Sequence, residues 1–156
     1  MTESLKALLA NWKETRSITL GFLEDLSDAD LEKKLPRKYL NTIKLQAEEL
    51  TIFQEDIVDS LNTKVVDFGE EYIYENIPKQ AIIKKMKELD TRLEKSLESF
   101  NGTETLDYYG DKQNIHQVIA MMIGHEYMHI GQIIAFCYAT GIEIPAEITE
   151  GMALEG

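Results

Sequence analysis

Residues 118–136 read Val118-Ile119-Ala120-Met121-Met122-Ile123-Gly124-His125-Glu126-Tyr127-Met128-His129-Ile130-Gly131-Gln132-Ile133-Ile134-Ala135-Phe136. Val118, Met122, His125, His129, Ile133 and Phe136 recur at intervals of three and four, the period of an amphipathic α-helix. With Val118 at zero and about 100° per residue, His125 falls near 340° and His129 near 20°, so the pair points into the interior. His116 falls near 160° on the same wheel, which makes it a surface residue. The helix begins near Asp111 or Asn114; Gly141 ends it and Pro145 prevents continuation.

Three further stretches keep a helical period. The first helix, Ser4 to Leu26, returns Leu5, Leu8, Leu9, Trp12, Thr19, Phe22, Leu23 and Leu26 to one face, with Thr2 or Ser4 as cap. Ser27-Asp28-Ala29-Asp30 opens a short helical turn that Pro36 ends. The second helix, Asn41 to Leu61, carries Ile43, Ala47, Leu50, Phe53, Ile57 and Leu61, capped by Asn41 or Thr42. The third, Lys79 to Phe100, carries Ile82, Met86, Leu89, Leu93 and Leu97 and stops at Asn101-Gly102. Almost nothing reads as strand. Asn62 to Pro78 reads as a crossover, and at about 3.3 Å per residue it can run the length of a bundle, so helices two and three need not be antiparallel neighbours. An all-α four-helix bundle with a long crossover between helices two and three follows, as a single domain over residues 1–156.

Composition limits the partners. The chain has 156 residues, with 16 basic against 28 acidic side chains and a formal net charge of -12. Nucleic acid and anionic membrane surfaces both demand a concentration of Lys and Arg, so neither is expected as a partner. Val118 to Gly124, the longest apolar run, is too short to span a bilayer. Cys137 is the single cysteine and cannot close an intramolecular disulfide, and Met1-Thr2-Glu3-Ser4 lacks the pattern of a signal peptide, so a cytoplasmic location is expected.

Two imidazoles one turn apart on one inward face can grip a single metal ion. Burying both without a ligand would leave ring nitrogens in need of partners, whereas a divalent ion satisfies them. A third ligand has to come from a facing helix. With Ile43 at zero, Gln46 lies at roughly 300°, Gln54 near 20°, Glu49 near 240° and Glu48 near 140°. The wheel favours Gln46 and Gln54, while ligand chemistry favours the carboxylate of Glu49. Glu126 and Gln132 are candidates for orienting groups behind the ligands.

His125 to His129 also match the His-Glu-x-x-His signature of zinc peptidases, for which Glu143, Glu147 or Glu150 would have to supply the third ligand. The downstream Gly141-Ile142-Glu143-Ile144-Pro145 reads as a turn, and no edge strand offers itself to a peptide. Across nearly its whole length the chain instead resembles the DinB/YfiT-like family. The resemblance is carried by Trp12-Lys13-Glu14-Thr15-Arg16, by the capped Asn41-Thr42-Ile43, by the long crossover and, most specifically, by His125 to Gln132 followed by Gly141 and Pro145. It implies up-down-down-up connectivity, homodimers, and a divalent metal held by three histidines, two of which match His125 and His129. The third falls at Glu49, counted from Thr42, so the site departs from the family pattern there. Two histidines and a carboxylate suit zinc or nickel, and also manganese or iron.

The resemblance further implies a metal-dependent S-transferase or isomerase acting on a low-molecular-weight thiol, with a small molecule as substrate. A metal with an open position lowers the pKa of a thiol, which supplies a nucleophile at neutral pH. Cys137 is read as core filler. Two readings from other classes stand beside this one: a non-catalytic bundle that has lost full metal binding and holds a small ligand or partner, and the zinc peptidase.

Overall fold

The computed structural model describes residues 1–35, 41–68 and 75–154. The elements in chain order are α1 (Glu3–Asp25), α2 (Asp28–Leu31), α3 (Ile43–Thr63), β1 (Val65–Val66), α4 (Lys79–Leu97), β2 (Thr105–Tyr108), β3 (Asp111–Asn114), α5 (Ile115–Thr140) and α6 (Ala146–Gly151). Helix starts follow side-chain capping, which satisfies amide groups that have no partner inside the helix. Thr2 Oγ1 accepts the Leu5 N–H at 3.3 Å, Thr42 Oγ1 accepts the Leu45 N–H at 3.2 Å, and Asn114 forms a reciprocal box with Gln117. α5 ends at Gly141, whose φ of 65° suits a residue without Cβ. Pro36, expected to end the turn at α2, and Gly69, Tyr72, Ile73 and Tyr74 of the crossover lie outside the described residues.

Helix directions can be read from side-chain pairs. Along α1 and α5, Ser4 meets His116 and Thr19 meets Glu126, so these two helices run parallel. Glu55 pairs with Lys85 and Asp59 with Arg92, so α3 and α4 also run parallel. Lys13 meets Glu94 and Glu24 meets Lys87, while Gln46 meets His129 and Phe53 meets His125; α1 is therefore antiparallel to α4, and α3 to α5. The connectivity is up-down-down-up. Parallel packing of α3 on α4 is what requires the long connection between them.

That connection is tied at both of its described ends. Phe68 stacks on Phe53 with centroids 4.8 Å apart. At the other end Glu48 Oε1 accepts the backbone N–H of Asn76 at 3.0 Å and that of Glu75. Glu48 faces away from the α3 stripe, yet it is 2% exposed because the crossover covers it.

The bundle is mostly helical, and the small sheet is an addition the sequence pattern did not announce. β1 pairs parallel with β2, and β2 pairs antiparallel with β3, Thr105 opposite Asn114 and Tyr108 opposite Asp111. The start near Asp111 is corrected: Asp111–Asn114 is strand, and α5 begins at Ile115. Tyr109 and Gly110 form the two-residue turn with φ of 51° and 91°, the positive pair that matches strand twist in a hairpin. For Tyr109 this left-handed backbone costs about 1 kcal/mol. The third helix ends at Leu97 and not at Phe100, and the following Gly102 has φ of 87°.

Two apolar clusters fill the bundle. One holds Leu5, Leu9, Trp12, Phe53, Ile57, Leu93, Val118 and Met122 beneath Val66 and Leu106 of the sheet. The other holds Phe22, Leu23, Ile43, Leu50, Ile82, Met86, Ile130, Ile133 and Phe136 toward α6. Each fully buried Leu, Ile or Phe contributes about 1.5–3 kcal/mol of transfer free energy. Ile130 is fully buried and Ile134 packs against the same cluster, so this flank of α5, whose apolar residues read from sequence as exposed and available to a second copy, lies inside the bundle. The large apolar side chains that α5 does expose are Tyr127, Met128 and Tyr138. Among the described residues no helix is long and apolar enough to cross a membrane.

Candidate metal centre

Between the two apolar clusters lies a polar layer, and its α3–α5 side holds the histidine pair. Because α3 and α5 are antiparallel, one turn forward from Glu49 to Phe53 matches one turn back from His129 to His125. Glu49 Oε1 lies 3.5 Å from His129 Nε2, and Phe53 stacks on the His125 ring at 4.0 Å and 28°. The two imidazoles meet edge to face, with centroids 4.7 Å apart. One ligand atom each from Glu49, His125 and His129 lies within 4.8 Å of the others. Ligands around a tetrahedral ion with bonds of about 2 Å stand about 3.3 Å apart, so side-chain rotations that draw these atoms inward would close them on one ion.

The protonation state suits the same end. Burial, followed by the neighbouring His129, pushes the His125 pKa down to about 4 against the opposing pull of Glu49, so at neutral pH the ring is neutral, the form that ligates. Gln46, the alternative third ligand, holds a different post. Its amide nitrogen donates to the Asn41 carbonyl at 3.3 Å, which leaves its oxygen facing His129 Nδ1 at 3.4 Å. A proton on Nδ1 leaves the lone pair of Nε2 directed to the Glu49 side. His125 Nδ1 and His129 Nε2 are both buried without a hydrogen-bond partner. An unsatisfied buried polar atom costs about 1–3 kcal/mol, and a divalent ion is the group that two neutral imidazoles and a carboxylate satisfy together. The residues fit such an ion.

The other expected site residues lie elsewhere. Glu126 is 1% exposed and turns to α1, where Thr19 Oγ1 donates to Oε1 at 2.6 Å and Arg16 Nη2 approaches Oε2 at 3.2 Å. Its two carboxylate oxygens are held by α1, while His129 is near enough to act on it only through charge. Gln132 is exposed on the outer face of α5. Gln54 belongs to the Arg16 group, accepting from Arg16 Nη2 at 3.0 Å and donating to Asp90 at 2.8 Å. Glu143, Glu147 and Glu150 are exposed around α6 and outside the ligand cluster, so the peptidase reading loses its third ligand. His116 is half-buried at the foot of α5, bonded to Ser4 and Asn114, and takes no part in the site. The buried Cys137 thiol is pushed up to about 11, chiefly by burial, and stays protonated at neutral pH.

One group escaped the sequence reading. Trp12 Nε1 donates to Asp90 at 2.9 Å, Arg16 lies 4.6 Å above the Trp12 ring, and with Thr19, Gln54 and Glu126 they join α1, α3, α4 and α5 through one buried polar layer. The available signal was Arg16 itself, four residues after Trp12 and three before Thr19 on the apolar stripe of α1.

Up-down-down-up connectivity and a His–His–carboxylate cluster between α3 and α5 define a small helical bundle with a possible metal site. Residues 11–133 match the family model of the DinB superfamily, and the chain belongs to that superfamily. Among solved structures the fold is similar to a DinB-like protein from Bacillus cereus ATCC 10987, with TM-score 0.71 and 17% identity over 90% of this chain and 95% of that one. It is also similar to the DinB-like protein YjoA from Bacillus subtilis, with TM-score 0.68 and 13% identity over 89% and 96%. No curated protein matches the chain in sequence.

Proposed function

We propose that this chain is a divalent-metal-dependent enzyme of the DinB type that transfers a low-molecular-weight thiol, with the ion held by Glu49, His125 and His129. The observation that carries this reading is the pair of buried, unpartnered ring nitrogens on His125 and His129 within reach of the Glu49 carboxylate. Zinc or nickel suits this donor set best, and manganese or iron is also compatible. A divalent ion bound there supplies an open position that lowers the pKa of a thiol. Three protein ligands leave such a position, and the half-buried His125 is the side on which a small substrate enters. Gln46 fixes the orientation of His129, and the apolar walls from Phe53 and Phe68 exclude water around the reacting sulfur.

Cobalt(II) substitution tests the thiol assignment, because a coordinated thiolate adds a sulfur-to-metal charge-transfer absorption. The band is expected on adding a simple alkanethiol to the cobalt-loaded chain and should be missing when the matching alcohol is added. A cobalt spectrum indifferent to thiols would leave a metal-binding bundle of another activity. We also propose a homodimer, supported by the exposed Tyr127, Met128 and Tyr138 on α5. Light scattering should give twice the chain mass of 17.9 kDa; a single-chain mass at micromolar concentration would exclude it.

A further inference from the structure

The aromatic side chains around the site form a continuous run from the ligand cluster to the surface. His125 stacks on Phe53 at 4.0 Å, Phe53 on Phe68 at 4.8 Å and 8°, and Phe68 meets Tyr108 at 6.0 Å and Tyr109 at 6.5 Å. Tyr109 closes the run edge to face with Tyr108 at 5.1 Å and is 65% exposed. The run draws on α3, the crossover, the hairpin and α5, so its continuity is a product of the tertiary fold.

Tyr109 is the residue that folding alone does not explain. It occupies the first central position of the hairpin turn at φ 51°, where Asn is the favoured residue before Gly and a bulky side chain is strained. Its exposure returns little burial for that strain. A strained residue kept at the end of an aromatic wall that begins on a metal-ligand histidine points to recognition rather than stability.

We propose that Tyr109, Tyr108 and Phe68 form a stacking subsite for a flat aryl group on the thiol substrate, at the outer end of the aromatic run that begins on His125. This rests on the thiol-transfer reading above, and narrows the substrate class to thiols carrying an aromatic or similarly flat apolar group. Ring-on-ring stacking gives selectivity without a buried polar partner.

The experiment compares 4-phenyl-1-butanethiol with 1-butanethiol, titrated into the cobalt-loaded chain and followed by the charge-transfer absorption. The phenyl thiol should bind about tenfold more tightly, and Tyr109→Asn and Phe68→Leu should each reduce that preference severalfold. Asn suits the left-handed turn and Leu keeps apolar volume at residue 68, so both variants retain the fold; Lys84→Ala, on the exposed face of α4, should leave the preference intact. A second arm titrates 4-phenyl-1-butanol into the metal-free chain, where ring-current shifts of the Tyr108 and Phe68 proton resonances should be seen with the parent and shrink in Tyr109→Asn. If cobalt or the thiol fails to bind while this arm succeeds, the subsite stands and the thiol-transfer reading falls. Equal preferences in the parent, Tyr109→Asn and Phe68→Leu, or no ring-current shift in the metal-free arm, overturn the subsite.

Discussion

Replacing Arg16 with Met should destabilise the chain by about 3–5 kcal/mol, the cost of leaving buried carboxylates without their cation. The guanidinium is 2% exposed, lies 3.2 Å from Glu126 Oε2 and 3.9 Å from Asp90 Oδ1, and covers the Trp12 ring. Met matches its length and fills the space, so the loss reports charge and not a cavity. For a domain of this size the melting temperature should fall by on the order of 10 °C. Adding Glu126→Gln to Arg16→Met removes the stranded charge while keeping an oxygen for Thr19, and should recover most of the loss. The two substitutions are therefore strongly non-additive, which a double-mutant cycle by urea denaturation measures directly. An Arg16→Met variant as stable as the parent would mean that the polar layer contributes no net stability.

The second large effect lies at the ligand cluster, and it grades the residues. His129→Ala removes a proposed ligand and should weaken zinc or nickel binding by more than about 100-fold, beyond the roughly 10–100-fold typical of losing an outer partner. Gln46→Leu removes only such a partner and falls within that range. Glu49→Gln leaves an amide where a carboxylate faces His129 at 3.5 Å, and should fall between the two. Under metal at about 100 times the parent dissociation constant, the parent gains roughly 2.7 kcal/mol of stability, which His129→Ala forfeits. His116→Ala, bonded to Ser4 and Asn114 at the far end of α5, should bind metal as the parent does. Isothermal titration calorimetry gives the order; unchanged affinity in Glu49→Gln beside a large loss in Gln46→Leu would make Gln46 the third ligand.

The four long helices were legible because each combines a three-four apolar period with a cap or a breaker, and tertiary packing agrees with both. The sheet was not. β1 has two residues, and in β2 and β3 only Leu106 is buried, so no alternation survives for a pattern to show. The available signal was Asp107 three residues before Gly110, whose N–H it accepts in the turn.

Within the site, His125 and His129 could be placed from spacing alone, since residues four apart share a helical face whatever surrounds them. Glu49 could not be separated from Gln46 by the wheel, because a residue on the flank of one stripe is turned inward or outward by the neighbouring helix. Glu126 was expected behind the ligands, and its pairing with Arg16 escaped the sequence for a related reason. Which buried charges meet is fixed only once α1 and α5 pack in parallel. Ile130 shows the same gap, since α5 is covered on more than one side and its buried arc is wider than a single stripe.

The cluster of Glu49, His125 and His129 is proposed to hold a divalent ion. Elemental analysis of the chain freshly purified without chelator tests it most directly, with the His129→Ala variant prepared alongside. About one divalent ion per chain is expected in the parent and almost none in the variant. A parent chain free of metal, with a melting temperature that zinc, nickel and manganese leave unmoved, would contradict it.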